Sequence, residues 1–150
     1  MIDARTAQAG LVARIWNSLL ENVGPVLAKK ILAEAILTDA MAAGQTFARQ
    51  APHGPTLEHF AMILERWQED DALTIRDVRL TSSALSFAVT DCAYARAYAG
   101  MGLNPELGFI LSCARDEPFA KGYSPCLSMR RSQTIMQGHP YCQFTFTWRE

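Results

Sequence analysis

The side chains best suited to chemistry are cysteines of the C-terminal half and an aspartate close to one of them. Cys92 follows Asp91, a good helix N-cap, and we expect its thiol in the first helical turn, where backbone N–H groups and the macrodipole favour a thiolate. Cys113 lies three residues before Asp116, so a continuing turn would bring thiol and carboxylate together. Cys142 lies near the start of the last predicted strand, on its core-facing side. These residues could supply a nucleophile and a proton carrier.

Each cysteine also has a purely structural interpretation, because free cysteine often serves as a small buried apolar residue. Cys126, beside Pro125, is the least informative of the four. The spacing matches no Cys-x-x-Cys pair and is a weak zinc signature. A metal-assisted alternative would use these zinc ligands: Cys92, Cys113 and Cys142, with His139 or Asp116. We expect no other cofactor. His139, three residues before Cys142, is either a general base or an exposed turn histidine.

Arg131 is informative because of its place in a predicted strand. It shares strand parity with Leu127 and Met129, so it points inward if they do. An inward guanidinium needs a partner, since an unpaired buried charge is too costly. That partner is either Asp116 or the carboxylate of a bound ligand, held bidentately. The opposite parity would make Arg131 a solvated surface residue.

The elements that must position these residues fall into two parts. Residues 1–70 carry apolar residues at helical spacing, with a break at Gly24-Pro25 and a loop over residues 52–55. Thr56 is placed to cap the third helix. Nothing in this helical part indicates chemistry.

Residues 71–150 change to the period of strands. The predicted elements are strands over 73–80 and 85–90 turning near 82–83, helices over 92–99 and 104–113, a loop over 116–125, a strand over 127–135, a turn over 137–140 and a strand over 141–148. The order β-β-α-α-β-β predicts a four-stranded antiparallel sheet with the N-terminal helices packed on it, an α+β fold. We expect residues 1–150 to form a single domain.

Charge and hydropathy restrict the class of partner. The 150-residue chain has a formal net charge of −1 and no basic stripe, which argues against nucleic-acid binding. No apolar stretch reaches the roughly 20 residues needed to span a bilayer, and the first residues lack the pattern of a secretory signal. Four cysteines in such a chain are typical of free thiols, so we expect a cytoplasmic protein. The apolar N-terminal helices leave room for a homodimer.

Several segments, taken in order, resemble one family. They are Asp91-Cys92-Ala93-Tyr94, Leu107-Gly108, Leu111-Ser112-Cys113-Ala114-Arg115-Asp116, Gly122-Tyr123-Ser124-Pro125, Arg131-Ser132-Gln133-Thr134-Ile135, Gly138 and Cys142-Gln143-Phe144. This set, over roughly residues 70–150, resembles the L-2-amino-thiazoline-4-carboxylic acid hydrolases. The most specific parts are Cys-x-x-Asp and Arg-x-x-Thr followed by Gly-x-x-x-Cys. Gln143 departs from the pattern, because an acidic residue commonly follows the last cysteine.

The resemblance implies a hydrolase that opens a carboxylate-bearing cyclic isothiourea, with N-carbamoyl-L-cysteine as product. It casts Cys113 as nucleophile or as the thiolate that positions one, Asp116 as general acid/base and Arg131 as anchor of the substrate carboxylate. The remaining pocket residues would be Cys92 and Cys142, with Thr134 and His139 on the substrate-binding side. The family is also distantly similar to 4-vinyl reductase domains, so the alternative is a non-catalytic small-molecule-binding or sensor domain.

Overall fold

The computed structural model describes residues 2–150, and Met1, the first residue of the predicted helical part, lies outside them. The chain begins with α1 (Ile2–Ala48), which is bent into two limbs at Gly24. Gly24 has a φ of 78°, a left-handed value that favours glycine, and Pro25 opens the second limb. The bend turns the second limb back alongside the first, so that Arg5 of the first limb and Ala40 of the second line the same cavity. The predicted break at Gly24-Pro25 is confirmed.

The remaining elements follow in chain order. They are α2 (Leu57–Ala61), α3 (Ile63–Trp67), β1 (Leu73–Leu80), β2 (Ala84–Cys92), α4 (Ala93–Gly100), α5 (Pro105–Leu111), α6 (Asp116–Tyr123), β3 (Leu127–Arg131) and β4 (Cys142–Trp148), with 3₁₀ turns over Glu69–Asp71, Cys113–Arg115 and Ile135–Gln137. Thr56 caps α2 as predicted, its side chain accepting the backbone N–H of His59. No helix in residues 2–150 is both long and apolar enough to cross a membrane.

The four strands form one antiparallel sheet in the order β1-β2-β4-β3. The predicted α+β class and β-β-α-α-β-β order are confirmed. Because neighbouring strands are antiparallel, the end of β2, the start of β4 and the end of β3 meet at one edge of the sheet. Val89 pairs with Cys142 and Arg131 pairs with Phe144 at this edge. The sheet therefore brings together residues that are far apart in the chain, such as Val89 and Cys142, which are separated by 53 positions.

The helices cover one face of the sheet. Alternate residues of β2 and β4 point into this layer, and four of the largest are almost fully buried: Leu85, Phe87, Phe144 and Phe146. The paired rings of Phe87 and Phe144 stack with centroids 4.9 Å apart. A second cluster joins both limbs of α1 to α4 and α5 around Trp16, Leu32 and Tyr98. The helical part thus packs against the elements that carry the candidate site.

Three predicted boundaries were wrong. The predicted loop over 116–125 is mostly the helix α6. Pro118 does not interrupt this helix, since it lies in the first turn, where proline is tolerated. The predicted strand over 127–135 ends at Arg131, and a 3₁₀ turn follows Thr134. Asp91 is still in β2, and the residue that caps α4 is Cys92.

α6 is held against the second limb of α1 by two glycines. A Cβ on Gly44 would clash with the carbonyl oxygen of Phe119, and one on Gly122 would clash with the carbonyl oxygen of Met41. The two helix backbones are therefore in direct contact, a distance that only glycine allows. This contact fixes the position of Asp116, the first residue of α6.

Candidate active site

A cavity of about 340 Å³ lies between the helices and the sheet edge where β2 and β3 end and β4 begins. Six of the seven predicted site residues line it: Cys92, Cys113, Asp116, Arg131, Thr134 and Cys142. The size is within the range of small-molecule sites. The structure therefore brings the predicted thiols, carboxylate and guanidinium to one concave place.

Arg131 points inward and pairs with Asp116. Its side chain is only 8% exposed, and one guanidinium nitrogen donates to the Asp116 carboxylate at 2.5 Å and to the Cys113 carbonyl oxygen at 3.0 Å. The guanidinium also lies over the rings of Phe109 and Phe144, with its carbon 5.5 and 5.2 Å from their centroids. Of the two partners left open by the sequence, the aspartate is therefore the one that Arg131 contacts in the structure.

Two opposing effects act on Asp116. Burial raises its pKa to about 6, although the positive charge of Arg131 and the hydrogen bond from it lower the pKa in opposition. The carboxylate is therefore mostly ionised at pH 7 but gains a proton just below neutrality. A group with such a pKa suits proton transfer near physiological pH.

Cys113 is almost entirely in its protonated thiol form at neutral pH. Burial raises its pKa to about 12, the negative charge of Asp116 adds to this, and Arg131 only partly opposes it. A free thiolate nucleophile at this position is therefore disfavoured at neutral pH. Cys113 can act as a nucleophile only if a base such as Asp116 takes its proton during attack.

Cys92 and Cys142 carry raised pKa values as well. Burial is the main cause in both, although each sulfur accepts a backbone N–H, from Ala95 at 3.4 Å and from Ile135 at 3.2 Å. The expected thiolate at Cys92 was therefore wrong, because loss of solvent outweighs the helix terminus. Cys142 is buried on the core-facing side of β4, as its parity predicts.

Thr134 and His139 differ in their relation to the cavity. Thr134 is 2% exposed, and its hydroxyl donates to the Gln137 side-chain oxygen at 2.8 Å while accepting the Gln137 N–H at 3.2 Å. His139 is exposed and outside the lining, with its backbone N–H bound to the Thr134 carbonyl oxygen. The structure therefore does not bring His139 to the site that was predicted for it.

The departure at Gln143 does not alter the cavity. Gln143 alternates with Cys142 and Phe144 and lies exposed on the opposite face of the sheet. Its side-chain nitrogen donates to the Phe87 carbonyl oxygen at 3.1 Å. An acidic residue at this position would not point into the cavity.

The helical part, for which no chemistry was expected, forms one wall of the cavity. Its contributions are Arg5, Ala40, Ala43, Arg66 and Trp67. Arg115 lies on the same wall and pairs with Asp39 of α1 at 2.6 Å. No local sequence pattern marks Arg5 or Arg66 as a residue of the site. Only the bend at Gly24 brings Arg5 back to the sheet edge.

The thiols do not form a metal cluster. Among residues 2–150, no group of three or more His, Cys, Asp or Glu side chains has an arrangement that could hold a metal ion. All three cysteines line the cavity, but they are not arranged as a set of metal ligands. Their arrangement gives the zinc alternative no support.

Comparison with known proteins adds the family. A solved structure with a similar fold is the phenol-responsive sensory domain of the transcription activator PoxR with phenol, at 11% identity and a TM-score of 0.58, covering 93% of this chain and 74% of that one. At that identity the likeness shows the fold alone. No curated protein matches. The family model for L-2-amino-thiazoline-4-carboxylic acid hydrolase matches residues 4–146. The chain belongs to the L-2-amino-thiazoline-4-carboxylic acid hydrolase family.

Proposed function

We propose that the protein is a hydrolase that opens the ring of a small carboxylate-bearing cyclic isothiourea, such as L-2-amino-thiazoline-4-carboxylate, to N-carbamoyl-L-cysteine. The observation that carries this proposal is a cavity of small-molecule size in which a carboxyl group with a pKa of about 6 lies beside a buried arginine and three thiols. Membership of the family supports the reaction class.

The reaction consumes one water. The water oxygen adds to the ring carbon that is bonded to sulfur, ring nitrogen and exocyclic amine, and the nitrogen that was doubly bonded to this carbon gains one proton. The carbon–sulfur bond then breaks, sulfur leaves with a proton as a thiol, and the carbon becomes the carbonyl of a carbamoyl group. The protein has to take a proton from the attacking group and return one to the departing sulfur.

Asp116 is the residue we assign to this proton transfer. Its carboxylate is ionised at pH 7 and can accept the proton of a water molecule or of the Cys113 thiol. Once protonated, it can donate to the leaving sulfur. Arg131 fixes the orientation of Asp116 through the 2.5 Å contact and keeps it ionised. Cys113 either orients the attacking water or adds to the carbon itself as the ring sulfur leaves; in the second case the water then attacks the same carbon, and the Cys113 sulfur leaves and regains its proton.

A second candidate function is a binding or sensor domain that uses the same cavity without turnover. The observation favouring it is the raised pKa of Cys92, Cys113 and Cys142, which leaves no thiolate ready at neutral pH. The solved structure with a similar fold is itself a sensory domain. We place this candidate second, because Asp116 provides a titrating group that a binding module does not require.

One experiment separates the two functions. Purified protein is incubated with L-2-amino-thiazoline-4-carboxylate, product is quantified by mass spectrometry, and thermal unfolding is followed in parallel. The proposed function predicts product that accumulates in proportion to protein concentration. A raised melting temperature without product would instead support the sensor function.

A further inference from the structure

The substrate carboxylate needs a positive partner inside the cavity, because a buried carboxylate without one is costly. Four arginines reach the lining: Arg5, Arg66, Arg115 and Arg131. Asp116 is the one carboxylate of this lining, so the wall is positive as a whole. The question is which arginine is free to bind a ligand.

Three of the four are already engaged. Arg131 pairs with Asp116 at 2.5 Å, and Arg115 pairs with Asp39 at 2.6 Å. Arg66 donates to the Gln50 side-chain oxygen at 2.6 Å, and its guanidinium lies over an aromatic ring, 5.1 Å from the centroid. A ligand carboxylate bound by any of these three would share the guanidinium with an existing partner.

Arg5 is different. Within residues 2–150 its side chain has no carboxylate partner and no hydrogen bond, and it is partly buried at the cavity wall. Its guanidinium carbon lies 5.7 Å from the centre of the Tyr94 ring, which also lines the cavity and restrains the side chain. Arg5 is also near enough to Asp116 for its positive charge to lower the pKa of that carboxyl group.

We propose that Arg5, from the first limb of α1, binds the carboxylate of the substrate. This inference rests on the proposed function and replaces Arg131 as the anchor. The two arginines then have different roles in the cavity. Arg131 orients Asp116 at the reacting carbon, and Arg5 binds the carboxylate end of the ligand. Guanidinium and carboxylate match in a bidentate geometry, which makes Arg5 a specificity-determining residue.

The test compares two ligands that differ only in the carboxylate: L-2-amino-thiazoline-4-carboxylate and 2-amino-2-thiazoline. Their affinities are measured by calorimetry for the wild type, Arg5→Met, Arg5→Lys and the control Arg14→Met. Arg14 is exposed on the same limb of α1 and outside the cavity lining. Circular dichroism and melting temperature confirm that each variant is folded, and turnover of the carboxylated ligand is recorded separately.

We expect Arg5→Met to bind the carboxylated ligand about 10- to 100-fold more weakly, the loss typical of a charge-assisted contact. Its affinity for 2-amino-2-thiazoline should not fall, Arg5→Lys should recover part of the loss, and Arg14→Met should match the wild type. In steady-state kinetics KM should rise while kcat changes little.

The outcomes separate this inference from the proposed function. If the wild type binds the carboxylated ligand without turnover and Arg5→Met weakens that binding, the hydrolase proposal fails and the role of Arg5 stands. If Arg5→Met binds both ligands like the wild type, the role of Arg5 is wrong, whatever the turnover. A wild type that does not prefer the carboxylated ligand would also overturn it.

Discussion

At the scale of single residues, the proposed proton transfer depends on how Arg131 affects the protonation of Asp116. Burial raises the pKa of Asp116 to about 6, and Arg131 limits that rise. A base must be ionised to accept a proton, so activity should fall as the pH drops through the pKa of the free enzyme's base. The ion pair therefore has a kinetic consequence as well as a structural one.

We predict that kcat/KM has an acid limb with an apparent pKa near 6, and that Arg131→Met moves this limb to higher pH. The direction follows because removing the positive charge removes an effect that lowers the pKa of Asp116. The measurement is kcat/KM between pH 4.5 and 9 for both proteins. An acid limb that stays in place in Arg131→Met would contradict the coupling.

The thiol of Cys113 should be unreactive in the free protein. Since its pKa is about 12, the thiolate fraction at pH 8 is very small. We predict that iodoacetamide alkylates Cys113 at least about 100-fold more slowly than it alkylates a free cysteine. Peptide mapping by mass spectrometry gives the rate. Alkylation at the rate of a free cysteine would restore Cys113 as a ready nucleophile.

The sequence predicted part of this site. Strand parity placed Arg131 on the same face as Leu127 and Met129, inward if they point inward, and Asp116 was one of the two partners considered for a buried guanidinium. The protonation states could not be predicted in the same way. The Cys92 position favoured a thiolate, but burial by distant elements reverses that direction. Burial is a property of the packed chain, which a local motif does not contain.

At the scale of elements, the crossing of α1 and α6 positions the general base. Gly44 and Gly122 let the two backbones touch, and Asp116 begins the helix that is held there. The segment over 116–125 was predicted as a loop, and it contains Pro118 and Gly122, which are loop-forming residues in most contexts. In this fold Pro118 lies in the first turn of α6, where proline is tolerated, and Gly122 lies at the crossing, where only glycine fits. Both residues are therefore compatible with a helix at these positions.

We predict that Gly44→Ala and Gly122→Ala each destabilise the protein by about 1–3 kcal/mol or more, because the added methyl group meets backbone atoms that cannot move aside. Urea unfolding measures the change. Gly100→Ala is the control, since a Cβ there would meet no atom within 4 Å. If Gly44→Ala and Gly122→Ala were as stable as Gly100→Ala, the stability of the protein would not depend on the close contact between α1 and α6.

At the scale of the whole molecule, the cavity exists because the helical part closes over the edge of the sheet. The C-terminal half supplies the residues with family-like spacing, and α1 adds Arg5 through the bend at Gly24. The sequence order predicted the sheet and its helices, since each rests on local periodicity. It could not predict which residues of the helical part face the site, because that depends on a long-range packing angle.

The homodimer stays a prediction. Large apolar side chains are exposed along α1, among them Leu11, Ile15 and Val26. We expect a species of twice the chain mass in sedimentation velocity experiments, since burying such residues between copies is favourable. Sedimentation at the mass of one chain across micromolar concentrations would contradict it.

The most direct test of the account is the rate of ring opening by Asp116→Asn compared with that of Glu117→Gln. Glu117 is the next residue of α6, is exposed and pairs with Lys121, so its variant controls for the loss of a negative charge beside the site. We predict that Asp116→Asn lowers kcat about 10²- to 10⁴-fold and that Glu117→Gln leaves it unchanged. Equal rates of ring opening in both variants would contradict Asp116 as the general acid/base.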